Sequence, residues 1–176
     1  VLLEGPSGIK ILPATSGALE LIHVDSGIRN SLSSEFNSLH HQYDFLLIDT
    51  PAGLGFEVFD FLDIADQIMV VTTTEPTAII DTYAMIKILH SKNRLSNIYL
   101  VFNWVNSENE AHEAFDKLTL IMQKFLHNNI NFWSFIQYDT AVNKAVMEQV
   151  PFLISFPDGS AANSIRKLCD EYLIEQ

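Results

Sequence analysis

Continuous apolar runs alternate with stretches of helical periodicity along this chain. The runs fall at residues 9–12, ending at Pro13, at 45–48, at 67–71 (QIMVV), at 98–102 (IYLVF) and at 131–136 (NFWSFI). They are unbroken rather than alternating, the pattern of parallel strands covered on both faces. Between them lie amphipathic stretches. Residues 31–41 place Leu32, Phe36 and Leu39 at helical spacing, and 57–65 reads as a short helix. Residues 77–90 follow Pro76, a favoured helix start, and put Ile79, Tyr83, Ile86 and His90 on one face. Residues 113–126 carry Phe115, Leu118, Met122 and Phe125 on one stripe. Helices are expected at 140–148 and 161–174, the last with Ile165, Leu168, Cys169, Tyr172 and Leu173 inward. Strand and helix in alternation predict an α/β fold, a doubly wound, mostly parallel sheet with helices on both faces. One domain, 1–176, is expected.

Composition narrows the function. The chain is 48% hydrophobic and 18% charged, which is globular rather than disordered. No apolar run approaches the ~20 residues of a membrane span, and the first residues do not read as a signal peptide. A net charge of −12, with only ten scattered basic residues, argues against direct binding of nucleic acid or anionic lipid. A single cysteine, Cys169, excludes an internal disulfide, reads as a core residue and fits a reducing compartment, so a cytoplasmic protein is expected. The opening at Val1, already inside an apolar pattern and without an initiator Met, is expected of a piece of a longer protein. The six histidines show no metal-ligand spacing, and no G-x-S-x-G occurs.

In open α/β sheets ligands bind beyond the carboxyl ends of the strands. The polar residues there are Asp49 and Thr50, Asn103, and residues 137–139. Asp49 closes the run FLLI. A carboxylate at the tip of a buried strand needs a partner. Either Mg2+, which prefers oxygen ligands, or a turn-capping role supplies one. The following TPAGLG is glycine-rich. It serves either as a loop that approaches a γ-phosphate by backbone N–H and reshapes when that phosphate leaves, or as an ordinary Pro/Gly turn. Asn103 matches the donor and acceptor pattern of adenine, with Trp104 able to cover the base face; the alternative is a cap.

Four segments, YDFLLIDTPAGLG, ADQIMVVTTTEPTAIIDTYAMIKIL, VFNWVN and IQYDTAVNKAVMEQVPFLISFPDGSAANSIRKL, together resemble the MinD/ParA family of deviant-Walker ATPases, a P-loop NTPase fold of the SIMIBI type. TEPTAIIDTYAMIKIL and the opening GIKILPATSG most resemble the FlhG branch, MinD-like regulators of flagellar number and placement. The likeness covers essentially the whole chain, in order. It implies ATP/ADP and Mg2+ as cofactors. Asp49 would be the Walker B acid, holding Mg2+ through water. Thr50, Pro51, Ala52 and Gly53 would be switch II. Glu75, Pro76 and Thr77 would stand at a strand-to-helix turn. Asn103 and Trp104 would meet the base, and Gln137, Tyr138 and Asp139 would wrap its other side. It further implies an ATP-dependent homodimer, and an FlhF-like GTPase and flagellar switch proteins as partners. Membrane contact is not supported by this segment.

The chain also departs from the family. Trp104 stands where Arg is usual, and Gln137 where Pro is common. Switch II here ends in Gly-Leu-Gly. No G-x-x-x-x-G-K-[ST] occurs, and the nearest stretch, GPSGIK, runs into a strand. In relatives the first strand, the Gly-rich loop and the switch I aspartate lie before the point where this chain starts. Without that cradle the chain alone is expected not to hydrolyse ATP, and the sheet is expected to have open edges where the first strand would lie. Two functions follow: part of an ATP-hydrolysing switch that places a cell structure, flagella or a division site, or a nucleotide-independent scaffold on the same fold. A phosphoacceptor domain is disfavoured because no Lys follows the IYLVF strand.

Overall fold

A computed structural model describes residues 2–13, 39 and 42–174. The helix expected at 31–41 lies outside them except for Leu39, as does the side chain of Leu173. The chain divides into two units, Val1–Ile64 and Ala65–Gln176.

The first unit opens with a hairpin. Strand β1 (Leu3–Glu4) pairs antiparallel with β2 (Lys10–Ile11), with Leu3 opposite Ile11 and Glu4 opposite Lys10. The run at 9–12 therefore does not join a parallel sheet. Residues 5–9 are too few for a crossover, which needs a dozen or more, so the chain turns straight back. Ser7 and Gly8 make that turn with φ of 57° and 83°. A Cβ on Gly5 would meet Ile9 and Ile11 side-chain carbons at 2.8 Å, so any larger residue there would push those side chains aside. The run at 45–48 is a second correction. It forms no strand, and Leu47 is 89% exposed. An apolar run becomes a strand only where its backbone groups find a ladder, and no neighbouring strand exists for it among the described residues. Helix α1 (Phe56–Ile64) follows, as expected for 57–65.

The second unit holds a parallel sheet. Strands β3 (Ile68–Thr72), β4 (Ile98–Val105) and β5 (Asn131–Gln137) lie in the order β3-β4-β5. Ile68 pairs with Ile98, and Tyr99 with Asn131. Central β4 is the spine of the core: Ile98, Leu100, Val101, Phe102 and Val105 are fully buried. Helices α2 (Pro76–Ser91) and α3 (Glu108–Leu126) connect the strands. The short α4 (Thr140–Glu148), α5 (Phe152–Ser155), which the periodicity did not indicate, and α6 (Ser160–Ile174) follow.

Both faces of the sheet are covered along β4 and β5. Phe132 stacks with Phe102 at 6.3 Å and meets His112 and Phe115 of α3. Its neighbour Trp133 points the other way, to Tyr99 and to Tyr172 of α6. This period-two alternation sets α3 and α6 on opposite faces. On β3, Met69 and Val71 remain exposed, and no strand pairs with its outer edge among the described residues.

Three helix faces differ from expectation. In α2 the buried line runs through Thr82, Ile86 and Leu89, leaving Ile79, Tyr83 and His90 half-buried. Helix α3 begins at Glu108 rather than 113, because Ser107 caps it by accepting the Glu110 N–H at 3.3 Å. Its buried stripe is Ala111, Ala114, Leu118 and Met122, and Phe125 is 60% exposed. In α6 the inward residues include Ala161, Ala162 and Leu168, while Cys169, expected in the core, is exposed. One residue is about 100° of turn, enough to carry Cys169 off the face that Leu168 buries.

Candidate functional site

The carboxyl edge of the sheet in the second unit is built by irregular strand ends. Strand β4 was expected to stop at Phe102, but it runs on through Asn103 and Trp104 to Val105. Its register with β5 shifts between Phe102 and Val105, so Asn103 and Trp104 bulge out of the ladder. Trp104 takes a left-handed φ of 59°, a conformation that costs a non-glycine residue about 1–3 kcal/mol. The Asn103 side chain holds it there, its Oδ1 accepting the Trp104 N–H at 2.9 Å. Trp104 is 62% exposed and sets a flat aromatic side chain beside a polar strand end.

Strand β5 ends against this bulge. Val105 pairs with Gln137, and the Tyr138 N–H donates to the Val105 carbonyl at 2.9 Å. The Gln137 N–H donates to Ser164 Oγ at 3.2 Å, and Tyr138 is half exposed. The fold thus brings Asn103, Trp104, Gln137 and Tyr138 to one edge.

Asp139 is held differently. Its Oδ1 accepts from the Ala141 N–H at 2.8 Å and its Oδ2 from the Ala161 N–H at 3.3 Å, so one carboxylate caps both α4 and α6. The Ala141 bond, then the Ala161 bond, holds its pKa below the usual carboxylate range. Gly159 makes room for it: a Cβ there would lie 2.6 Å from Asp139 Oδ2.

Sequence reasoning missed Glu110. Its Oε1 accepts the Thr74 hydroxyl at 2.6 Å, and its Oε2 accepts the Asn106 backbone N–H and side-chain Nδ2 at 3.0 Å each. The Thr74 bond, then the Asn106 backbone and side-chain bonds, lowers its pKa. The spacing Ser107-x-x-Glu110, a capping box, was the available signal. Nearby, buried Thr82 sets its hydroxyl 2.7 Å from those of Thr72 and from the Ala78 carbonyl, which ties α2 to the end of β3.

The remaining candidates lie in the first unit. Asp49 is exposed, Thr50 half-buried, and neither sits on a strand. The expectation of a carboxylate forced by burial to find a counter-charge is therefore corrected: solvent meets this one. Gly53 adopts a φ of 117°, open only to glycine without strain, and space around it is free. Among the described residues no three His, Cys, Asp or Glu side chains form a metal cluster.

No protein-family model matches the chain. It is 32% identical over 171 residues to the antiactivator FleN of Pseudomonas aeruginosa, covering 97% of this chain and 61% of FleN. It is 35% identical over 131 residues to the flagellum site-determining protein YlxH of Helicobacter pylori, covering 73% of this chain and 39% of YlxH. The chain thus spans less than two thirds of these curated relatives. Among solved structures, the MinD cell division protein of Aquifex aeolicus superposes with a TM-score of 0.75 over 99% of this chain and 69% of that one, at 18% identity. The septum site-determining protein MinD of Pyrococcus horikoshii, complexed with Mg-ADP, gives 0.64 over 85% and 60%, at 24% identity. At those identities the structures establish the fold, and the sequence relatives point to the branch. The chain's homologues are FleN, YlxH and ATPases of the MinD/ParA family, and its sequence relatives support the branch of FleN and YlxH.

Proposed function

We propose that this chain forms part of an ATP-driven, MinD-like switch that controls the number or placement of flagella. One observation carries the reading. The Asn103 and Trp104 bulge and the loop from Gln137 are hydrogen-bonded together at the carboxyl edge of a parallel sheet, where this class of fold takes its ligands. A MinD of the same fold was solved with Mg-ADP.

In this reading Trp104 stacks on the base. Asn103 offers its Nδ2 to a ring nitrogen while its oxygen fixes the indole. Gln137 and Tyr138 border the base, and Asp139 acts by holding that loop. Asp49 and Thr50 present only oxygen donors, a set that suits Mg2+ held through water. The ion would neutralise charge on the phosphates. Gly53 gives the loop the freedom to answer a γ-phosphate. An ATP-dependent homodimer, with an FlhF-like GTPase and flagellar switch proteins as partners, belongs to the same proposal. No helix among the described residues is long and apolar enough to cross a membrane.

The test is equilibrium binding of a fluorescent ATP analogue to the full-length protein. Asn103→Ala and Trp104→Ala each weaken binding by roughly tenfold, and Asp49→Ala removes its dependence on Mg2+. A second reading, a nucleotide-independent scaffold, draws on the Asn103 acceptor being already engaged by Trp104. Wild-type protein that binds no analogue establishes that reading instead.

A further inference from the structure

The Glu110 carboxylate joins two segments that are far apart in sequence, the end of β3 and the turn from β4 into α3. Thr74 belongs to the turn leaving β3, Asn106 to the turn leaving β4, and Glu110 itself to the first turn of α3. A capping box needs only the reciprocal bonds between a helix's first turn and the residues before it. Here Ser107 and Asn106 already supply those. The bond to Thr74 adds nothing to the helix. It spans to another strand end, and at 2.6 Å it is a short, charge-assisted bond. Asn106 in turn lies two positions beyond Trp104. Its N–H is pinned by Glu110, while the carbonyl before it, of Val105, is pinned by Tyr138. The strained bulge is thus fixed at its far end from two sides.

We propose that Glu110 is a positioning residue whose carboxylate sets the spacing between the turn of Thr73 and Thr74 and the bulge of Asn103 and Trp104. On the nucleotide reading above, it thereby sets the affinity of the base-binding edge. Glu110 touches no ligand in this scheme. It acts by holding the two strand ends that border one.

Three variants of the full-length protein separate this role from simple capping. Glu110→Ala removes the brace. Glu110→Gln can keep it, with the amide oxygen accepting from Asn106 and the amide N–H donating to Thr74. Thr74→Val cuts only the tie to β3 and leaves the cap of α3 intact. This chain's two tryptophans, Trp104 and Trp133, are assigned in a proton–nitrogen NMR spectrum of the full-length protein by Trp104→Phe and Trp133→Phe, and their indole N–H signals then report the two positions separately without any ligand. Glu110→Ala and Thr74→Val are expected to move the Trp104 signal and leave that of Trp133 in place. The dissociation constant of Mg-bound mant-ATP should rise about tenfold in Glu110→Ala, about threefold in Thr74→Val, and less than about twofold in Glu110→Gln. Thr74→Val should lower the melting temperature less than Glu110→Ala does, because it leaves the cap of α3 in place. A Trp104 signal unmoved in both Glu110→Ala and Thr74→Val overturns the proposal, as does a moved signal with mant-ATP affinity unchanged in both. Parent protein that binds no mant-ATP overturns the nucleotide reading alone, and the indole signals then decide the positioning role by themselves.

Discussion

Asp139 does more at this edge than border a ligand. One carboxylate caps two helices, and Gly159 exists to admit it. Gly159→Ala would press a methyl group 2.6 Å from Oδ2 and 3.2 Å from the Phe156 carbonyl, and the carboxylate cannot swing aside without releasing a cap. The melting temperature should fall by about 3–8 °C; an unchanged value would show that the carboxylate is free to move. The charge has a pH signature. Asp139 is more acidic when folded, so its stabilisation is present above the ordinary Asp value of about 3.9 and is lost as pH falls through the lower folded value. Asp139→Asn should therefore differ most from the parent at neutral pH, and urea titrations should show the gap closing on acidification. A gap constant with pH would mean that the charge contributes nothing. Asn103, Trp104 and Tyr138 could be picked from sequence because each is a polar or aromatic group just past an apolar run. The double cap at Asp139 and the reach of Glu110 to Thr74 could not, since both depend on which segments the fold makes neighbours.

At the scale of elements, β4 decides the fold. Phe102 is fully buried and stacked on Phe132. Phe102→Ala should cost about 3–5 kcal/mol. Phe125 was placed on a buried stripe by periodicity, yet it is 60% exposed and meets Tyr83 only edge-on at 6.4 Å. Phe125→Ala should cost under about 0.5–1 kcal/mol. Urea unfolding of both variants checks the contrast, and equal losses would contradict the burial of α3. Strands β3, β4 and β5 and the helices between them were legible because they combine an unbroken apolar run with a local helical period. The runs at 9–12 and 45–48 have the same apolar character. What separates them is pairing: one has a hairpin partner within reach, and the other has no ladder among the described residues. Apolarity shows that a segment could be a strand. Only a neighbour makes it one.

For the molecule as a whole, a parallel sheet with an irregular carboxyl edge and sequence relatives along 97% of the chain support the proposed nucleotide-driven switch. A net charge of −12 works against direct contact with nucleic-acid phosphates. The family could be read from four segments in order, while the partner surfaces could not, because function on a shared fold resides in the sites it carries. The most direct test is thermal unfolding of the full-length protein with and without Mg-ATP. At 100 times its dissociation constant the ligand should add about 2.7 kcal/mol, raising the melting temperature by about 5–10 °C, with about half of that rise lost in Asn103→Ala. A melting temperature indifferent to Mg-ATP would contradict the nucleotide switch and leave the fold serving as a scaffold.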